Sequence, residues 1–258
     1  MGSALITGAS AGIGESFAYA LGREKYNLVL VARREDRLKA VAEESIRRGA
    51  ASATIIQADL SERNAAMMVF ERIESQRLTI DLLINNAGFG TRGRFDQLPL
   101  GRELEEIDLN VAALVALTRL FLPQMVERRS GAIINVASTA AFQAVPYMAT
   151  YAATKAFVVS FSQALSTEIA GTGVNVMALC PGPTRTEFQQ VAGTKVVRMP
   201  SFAYMDADTV VAQALAAARR GRSLYVNGAI NAAMAGAVRL APRALVNWIA
   251  AGMFRPPR

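Results

Sequence analysis

Histidine is absent from this chain of 258 residues, and cysteine occurs only once, at Cys180. These absences exclude a disulfide within the chain, a metal site built on histidine and cysteine, and a cysteine nucleophile paired with histidine. We therefore expect no bound metal. Cys180 ends an apolar run over residues 174–180, which favours a small buried side chain over a reactive one.

Acidic side chains are missing from the last fifty residues. Residues 1–208 carry 21 basic and 21 acidic side chains, whereas residues 209–258 carry seven arginines and no acid, so the whole net charge of +7 arises there. A protein that coats nucleic acid has a distributed basic face with interleaved aromatic residues, and this chain has neither. The asymmetry indicates one local anionic partner or surface, and we expect no nucleic-acid partner.

Long uncharged apolar runs are missing too. No stretch of about 18 such residues would span a bilayer, and no basic segment precedes the first apolar run as in a signal peptide. We therefore expect a cytoplasmic protein. Hydrophobic residues nevertheless make up 52 % of the chain, and α/β folds of this length commonly form one domain. Because no linker or repeat interrupts the chain, we predict a single domain over residues 1–258.

Short apolar runs alternate with amphipathic segments along most of the chain. The pattern predicts strands at residues 4–7, 27–31, 54–57, 81–84, 132–137, 174–179 and 224–226. It predicts helices at residues 13–24, 35–48, 62–76, 102–128, 151–170 and 208–220, unless Pro123 bends the fourth. Strands alternating with helices in this way are typical of a parallel sheet covered on both faces. The predicted fold class is therefore α/β, a doubly wound, Rossmann-like parallel sheet with ligands at the carboxyl ends of its strands.

A glycine-rich turn follows the first predicted strand. Its residues Gly8, Ser10, Gly12, Ile13 and Gly14 stand where a helix begins. Glycines let backbone N–H groups approach a pyrophosphate, and the start of a helix adds positive potential. The turn predicts a dinucleotide-binding site, although a glycine-rich turn without a ligand is an alternative.

The second predicted strand ends at Ala32, followed by Arg33 and Arg34. A site for NAD would place a carboxylate here for the ribose 2′-hydroxyl. Arginine instead pairs with a 2′-phosphate and stacks on adenine. We predict NADP as the cofactor, with Arg33 as the first candidate for the phosphate contact and Arg34 as the second; a solvated loop remains the alternative.

Polar residues also end the third and fourth strands. Asp59 and Leu60 are candidates for the adenine, although a simple turn explains Asp59 nearly as well. Asn86, Ala87 and Gly88 follow the fourth strand, where asparagine side chains can fasten neighbouring loops and glycine lets a cofactor pass close.

Tyr151 and Lys155 are four residues apart at the start of a predicted helix, so they share one face. Reduction of a ketone needs a proton donor for the oxygen, and a tyrosine can serve if its pKa falls from about 10 towards neutral. A nearby ammonium and the positive nicotinamide would favour the phenolate. The pair therefore predicts a tyrosine general acid/base.

Ser138, Tyr151 and Lys155, together with the glycine turn, resemble the short-chain dehydrogenase/reductase family. The resemblance runs from about residue 3 to residue 190. It rests also on the run 85–88, on Asn110 and on the proline-glycine turn that starts at Pro181.

This resemblance implies roles for particular residues. Tyr151 would be the general acid/base, Lys155 would lower its pKa and hold the nicotinamide ribose, and Ser138 would bind the substrate oxygen. Asn110 would support a water that links Lys155 to solvent. The residues implied for the nicotinamide are Pro181, Gly182, Thr184 and Thr186.

Two segments lie beyond the motifs. The apolar segment 187–205 is the expected substrate lid, which favours a hydrophobic carbonyl substrate, although packing of a helix on the body explains it equally well. The pattern of apolar residues within 227–258 predicts two short helices, at residues 232–240 and 243–253, separated by Pro242. They could pack on the domain, build a subunit interface, lie on an anionic membrane surface, or receive an acidic carrier protein.

The function predicted from these observations is NADPH-dependent reduction of a small-molecule carbonyl compound, or oxidation of the alcohol. An NAD-linked alcohol dehydrogenase and a non-catalytic dinucleotide-binding protein are the alternatives. We also expect a homodimer or homotetramer.

Overall fold

Seven parallel strands form one sheet in the order β3-β2-β1-β4-β5-β6-β7. The structure is a computed structural model, and it describes residues 2–188, 192 and 204–255. The strands are β1 Ser3–Thr7, β2 Asn27–Ala32, β3 Ser52–Gln57, β4 Leu82–Asn85, β5 Gly131–Val136, β6 Val174–Cys180 and β7 Leu224–Val226. The predicted doubly wound α/β fold is confirmed, and each predicted strand boundary lies within two residues of the observed one.

Nine α-helices connect or follow these strands in the described residues. They are α1 Gly12–Arg23, α2 Glu35–Arg47, α3 Ala65–Ser75, α4 Leu100–Ile107, α5 Ala113–Glu127, α6 Ala149–Glu168, α7 Ala207–Arg219, α8 Ala229–Leu240 and α9 Arg243–Phe254. Contacts place α1, α2 and α7 together on one face of the sheet, and α3 and α5 together on the other.

Strand β1 shows why the strands are continuous apolar runs. Ala4 and Ile6 face the cluster that contains Phe17 of α1, whereas Leu5 faces the cluster that contains Phe121 of α5. All five of these side chains are buried. A strand covered on both faces has no solvent side, so alternation of polar and apolar residues is lost. Cys180 is likewise buried, as predicted.

The long helix predicted at residues 102–128 is interrupted. A π turn at Asp108–Ala112 separates α4 from α5, and Pro123 lies inside α5 without ending it. The prediction was one helix over residues 102–128 with Pro123 as the candidate for a bend, and the single helix was wrong. The π turn instead carries Asn110, whose side chain reaches back to the loop after β4, and single π turns of this kind occur often at functional sites.

The run Leu100–Glu127 is also long and apolar enough to cross a membrane by length and composition. Leu117, Phe121 and Met125 of this run are buried in the core. Packing of one face against the sheet and α3 therefore accounts for its apolar character.

Candidate active site

A cavity of about 790 Å³ opens along the carboxyl ends of the strands. It lies at the point where the strand order reverses beside β1, the usual ligand position in such sheets. Nearly all the residues predicted for the site line it: Gly8, Ser10, Gly12, Ile13, Arg33, Arg34, Asp59, Leu60, Asn86, Ala87, Gly88, Ser138, Tyr151, Lys155, Pro181, Gly182, Thr184 and Thr186. Gly14 and Asn110 are not in the lining.

The glycine turn approaches the next strand end closely. Gly8 and Gly12 have φ values of +64° and +61°, which side chains rarely adopt. A Cβ on Gly14 would lie 2.4 Å from the Gly8 carbonyl oxygen, so Gly14 serves the packing of the turn. Asn86 Nδ2 donates to the carbonyl oxygen of Thr7 at 2.9 Å and fastens the turn, as expected from the sequence. No side chain caps the start of α1, which leaves its N–H groups directed at the cavity for an anion.

The two arginines after β2 stand at one end of the cavity. Arg33 Nη1 lies 3.3 Å from carboxylate oxygens of both Asp59 and Glu105. Arg34 donates to Ser10 Oγ of the glycine turn at 3.3 and 3.4 Å and pairs with Glu187 at 2.9 Å. Both guanidinium groups are about half exposed. They are therefore close to the turn and able to exchange carboxylate partners for an anion that enters the cavity.

Asp59 is tied to its own turn. Burial acts against its ionisation, but hydrogen bonds from the backbone and side chain of Ser61 and the charge of Arg33 lower the pKa of its carboxyl group. Asp59 thus stabilises its own turn and also presents a hydrogen-bond acceptor at the edge of the cavity.

Ser138, Tyr151 and Lys155 meet deep in the cavity. Ser138 follows β5, and Tyr151 and Lys155 lie in the first turns of α6. The Ser138 hydroxyl lies beside that of Tyr151 and favours the ionised form of the phenol, and Lys155 Nζ lies 5.8 Å from the centroid of the Tyr151 ring. Gly90 permits this arrangement, because a Cβ there would lie 2.8 Å from that ring.

The pKa values at this centre are set mainly by burial. Burial raises the pKa of Tyr151 to about 12, although the Ser138 hydroxyl acts in the opposite direction. Burial lowers the pKa of Lys155 to about 8. The sequence predicted a tyrosine pKa lowered by Lys155 together with the positive nicotinamide. In the protein by itself, desolvation of the phenolate is the largest effect on the pKa of Tyr151.

Asn110 lies behind the cavity wall. Its Oδ1 accepts a hydrogen bond from Phe89 N at 3.1 Å, and its Nδ2 donates to Phe89 O at 2.9 Å and Thr154 Oγ1 at 3.1 Å. A Cβ on Gly88 would lie 2.7 Å from Asn110 Oδ1 and 3.4 Å from Lys155 Nζ. The Asn110 side chain thus holds the loop after β4 against α6, beside Lys155.

The turn after β6 forms the wall opposite Tyr151. Thr184 Oγ1 donates to Gly182 O at 3.0 Å, and a Cβ on Gly12 would lie 3.0 Å from Thr186. Of the predicted lid, residues 189–191 and 193–203 lie outside the described residues. Phe188 is described, and its ring centroid lies 5.3 Å from that of Tyr151.

The C-terminal helices form the remaining wall, a role that the sequence did not reveal. Apolar side chains of α8 and α9 line the cavity, among them Met234, Ile249 and Met253. Arg92, in the loop after β4, donates to the carbonyl oxygens of Phe254 and Arg255 at 2.8 and 2.7 Å. The chain between these partners is too long for any local pattern to indicate the contact.

A pair of buried glutamates was also missed. Glu103 and Glu106 lie one turn apart on α4, are 4 % and 0 % exposed, and both contact Thr91. In the sequence their (i, i+3) spacing among polar residues predicts the solvent-exposed face of a helix. Only the structure shows that the two side chains are buried.

Comparison with known proteins finds the family model "short chain dehydrogenase" over residues 3–196. A short chain dehydrogenase of Pseudocercospora fijiensis is 36 % identical over 192 residues, which are 72 % of this chain and 60 % of that protein. The chain thus spans less than two thirds of that relative's length.

Two solved structures match nearly the whole chain. A short-chain dehydrogenase from Sphingobium yanoikuyae in complex with NADPH has a TM-score of 0.85 and 34 % identity, covering 95 % of both chains. A bulky-bulky ketone specific alcohol dehydrogenase from Comamonas testosteroni has a TM-score of 0.77 and 31 % identity, covering 95 % of this chain and 96 % of that one.

Proposed function

Because this chain belongs to the short-chain dehydrogenase/reductase family, we propose that it is an NADPH-dependent reductase of bulky hydrophobic ketones or aldehydes, which also oxidises the product alcohol in reverse. The observation that carries the proposal is one continuous cavity. It joins the glycine turn and Arg33 at one end to Ser138, Tyr151 and Lys155 within it.

The residues present fit a nicotinamide dinucleotide. Gly8 and Gly12 supply a turn without side chains, and the uncapped start of α1 suits a pyrophosphate. Arg33 would pair with the 2′-phosphate, with Arg34 beside it, and Asp59 and Leu60 would border the adenine. Asn86, Ala87 and Gly88 would flank the cofactor, and the nicotinamide would lie against the residues Pro181, Gly182, Thr184 and Thr186. When bound, NADPH supplies the hydride. The NADPH complex of the Sphingobium protein supports this choice.

Tyr151 would give its hydroxyl proton to the carbonyl oxygen while the carbonyl carbon accepts the hydride, which yields the alcohol. Ser138, whose hydroxyl lies beside that of Tyr151, would hold the same oxygen. The Lys155 ammonium would stabilise the resulting phenolate, because an opposite charge nearby favours the ionised form. Asn110, which lies behind the cavity wall, would act indirectly by holding the loop after β4 that positions Lys155.

The substrate end of the cavity is apolar. Val145, Met148 and Phe188 pack in one cluster with Tyr151. Phe142 also lines the cavity, and α8 and α9 close the opposite side. An apolar wall of this extent suits a substrate with bulk on both sides of the carbonyl. The name of the Comamonas enzyme, specific for bulky-bulky ketones, supports the same substrate class.

NADPH oxidation measured across a panel of ketones, aldehydes and acyl thioesters tests the proposal. We expect turnover to rise with the apolar bulk of the substrate and to be faster with NADPH than with NADH. A preference for NADH would favour the NAD-linked alcohol dehydrogenase. Binding of NADPH without turnover of any class would favour the non-catalytic protein.

We further propose that the outer face of α8 and α9 lies on an anionic lipid surface. Large apolar side chains are exposed there, with Trp248 75 % and Leu240 90 % exposed. Arg243 is exposed at the start of α9, and no acidic residue follows residue 208. Exposed apolar residues combined with arginines suit a bilayer surface. An acidic carrier protein would bind mainly to positive charges on this face and would not require its exposed apolar side chains.

This surface adjoins the cavity. Met234, Ile249 and Met253 line the cavity and are also about half exposed. The cavity therefore reaches the surface beside the apolar face, and a substrate dissolved in the bilayer could enter without crossing water.

We also propose a homodimer or larger homo-oligomer through a separate face. Leu100, Leu104 and Ile107 are exposed along one side of α4. Phe157 of α6 is exposed and stacks on Phe161 with ring centroids 5.7 Å apart. Since α4 contacts α6, these exposed side chains stand on neighbouring helices, which a second copy could cover together. Sedimentation of the wild type and of Phe157→Glu tests the proposed oligomer. We expect the variant to sediment as a smaller species than the wild type.

A further inference from the structure

The C-terminal end of α9 is bound by Arg92, in the loop after β4. Its Nε donates to the carbonyl oxygen of Phe254 at 2.8 Å, and its Nη2 donates to that of Arg255 at 2.7 Å. The last carbonyl groups of a helix have no partner within the helix and carry partial negative charge. A guanidinium holds its N–H donors in a fixed plane, so one side chain can bind both carbonyl groups. Arg92 therefore caps α9.

A second set of contacts joins the same parts of the molecule. Arg255 Nε donates to the Tyr147 hydroxyl at 3.2 Å, and the backbone N–H of Gly93 donates to the Tyr147 carbonyl oxygen at 2.9 Å. Tyr147 stands just before α6, the helix that carries Tyr151. The end of α9 is thus tied both to the loop after β4 and to the segment that leads into α6.

Burial of apolar side chains contributes little to the docking of α9. The helix has twelve residues, all of them described, and of these Ala250 alone is buried. An isolated helix of this length is marginal in water, so its order depends on tertiary contacts. Because few of its side chains are covered, the hydrogen bonds from Arg92 have a large share in keeping α9 over the cavity.

The residue that Arg92 holds lies at the substrate end of the cavity. Phe254 lines the cavity, and its side chain packs against the cluster that contains Val145, Met148 and Tyr151. An aromatic ring from the end of the chain therefore stands beside the proposed proton donor. Its position there depends on the backbone carbonyl group that Arg92 binds.

We propose that Phe254 determines substrate specificity, and that Arg92 is the positioning residue that holds Phe254 at the substrate end of the cavity. This inference rests on the proposed function. The ring of Phe254 contacts the apolar group on one side of the carbonyl, so a ketone that lacks this group gains less from the ring. Arg92 acts through the backbone of Phe254 and does not touch the substrate.

Two ketones test the proposal, one with apolar bulk on both sides of the carbonyl and one in which a methyl group replaces the bulk on one side. In Arg92→Met and in Phe254→Ala, we expect kcat/KM for the bulky ketone, relative to that for the methyl ketone, to fall roughly tenfold. The fall should arise mainly from a higher KM for the bulky ketone. The double variant should lose no more than one single variant, because both changes remove the same contact.

Arg94→Met is the matched control. Arg94 lies in the same loop as Arg92, but its guanidinium is exposed and pairs with Asp96. The same loss of a guanidinium at this position should leave the ratio of kcat/KM for the two ketones at the wild-type value.

Trp248 gives a readout that needs no turnover, because it is the only tryptophan of the chain and lies on α9. Without lipid, we expect the fluorescence anisotropy of Trp248 to decay faster in Arg92→Met than in the wild type, since the helix is then held less firmly. The decay in Arg94→Met should match that of the wild type.

Three results would overturn the proposal. An unchanged anisotropy decay in Arg92→Met would show that Arg92 does not hold α9. Equal losses for the two ketones would indicate a general structural role, and losses that add up in the double variant would show that Arg92 does not act through Phe254. If the protein reduces neither ketone, the anisotropy still decides whether Arg92 holds α9, so failure of the proposed activity is recognised separately.

Discussion

The ring of Phe188 packs against that of Tyr151 with centroids 5.3 Å apart and an angle of 46° between the planes. Phe188 follows the turn after β6, so the start of the predicted lid covers Tyr151, the proposed proton donor, with an apolar side chain. This contact contributes to the burial that raises the pKa of Tyr151, and it places the phenol in an apolar surrounding where its hydrogen bonds are strong.

Loss of the Tyr151 hydroxyl should abolish most turnover. We expect Tyr151→Phe to bind NADPH normally but to lose roughly a hundredfold or more in kcat, the usual scale for a removed general acid. Cofactor fluorescence titration and steady-state kinetics measure the two effects. Tyr225→Phe, the same change on β7 outside the cavity, is the control, and near-normal turnover of Tyr151→Phe would exclude the mechanism.

Loss of Arg33 should change cofactor choice. Because only NADPH carries the 2′-phosphate, Arg33→Ala should weaken the binding of NADPH by roughly 1.5–3 kcal/mol. The binding of NADH should weaken much less. Arg37→Ala is a matched control, because Arg37 also lies on this side of the fold and pairs with Glu187 but does not line the cavity. Dissociation constants for both cofactors decide it: equal weakening of NADH and NADPH would show that Arg33 does not read the phosphate.

Ionisation of Glu106 should make the folded protein less stable as the pH rises. Its folded pKa of about 7 lies above the ordinary value of 4.5, so the folded state binds the proton more tightly. The stabilising contribution is complete below about pH 4.5 and is lost as the pH passes through 7. The loss should be on the order of 3 kcal/mol. The free energy of unfolding, measured with urea at several pH values, should decline more steeply with rising pH for the wild type than for Glu106→Gln. Parallel curves of this free energy against pH would contradict the prediction.

The outer face of α8 and α9 should bind anionic vesicles. We expect the protein to sediment with vesicles that contain phosphatidylserine, to stay in solution with neutral vesicles, and to be released by salt. Trp248→Glu with Arg243→Glu should abolish binding, whereas Arg220→Glu, outside this face, should not. Absence of sedimentation at low salt would contradict the proposal, and binding to an acidic carrier protein alone would assign the surface to that class of partner.

The sequence by itself determined the architecture and the centre of the site. Its seven apolar runs and intervening helices specify the doubly wound sheet, because period and length are local properties that burial on both faces imposes on every strand. Tyr151 and Lys155 share a helix face for the same local reason, and the turn from Gly8 to Gly14 stands at the first strand end. These relationships need no knowledge of distant contacts.

Only the tertiary structure decided the surroundings of that centre. The burial of Glu103 and Glu106, the position of α8 and α9 over the cavity, and the hydrogen bonds from Arg92 to the end of α9 join segments far apart in the chain. The interruption of the long helix at Asp108–Ala112 rather than at Pro123 depends in the same way on the contact of Asn110 with Phe89. A charged residue has the same local pattern on a solvated face as in a buried network, so its environment is set by the elements packed against it.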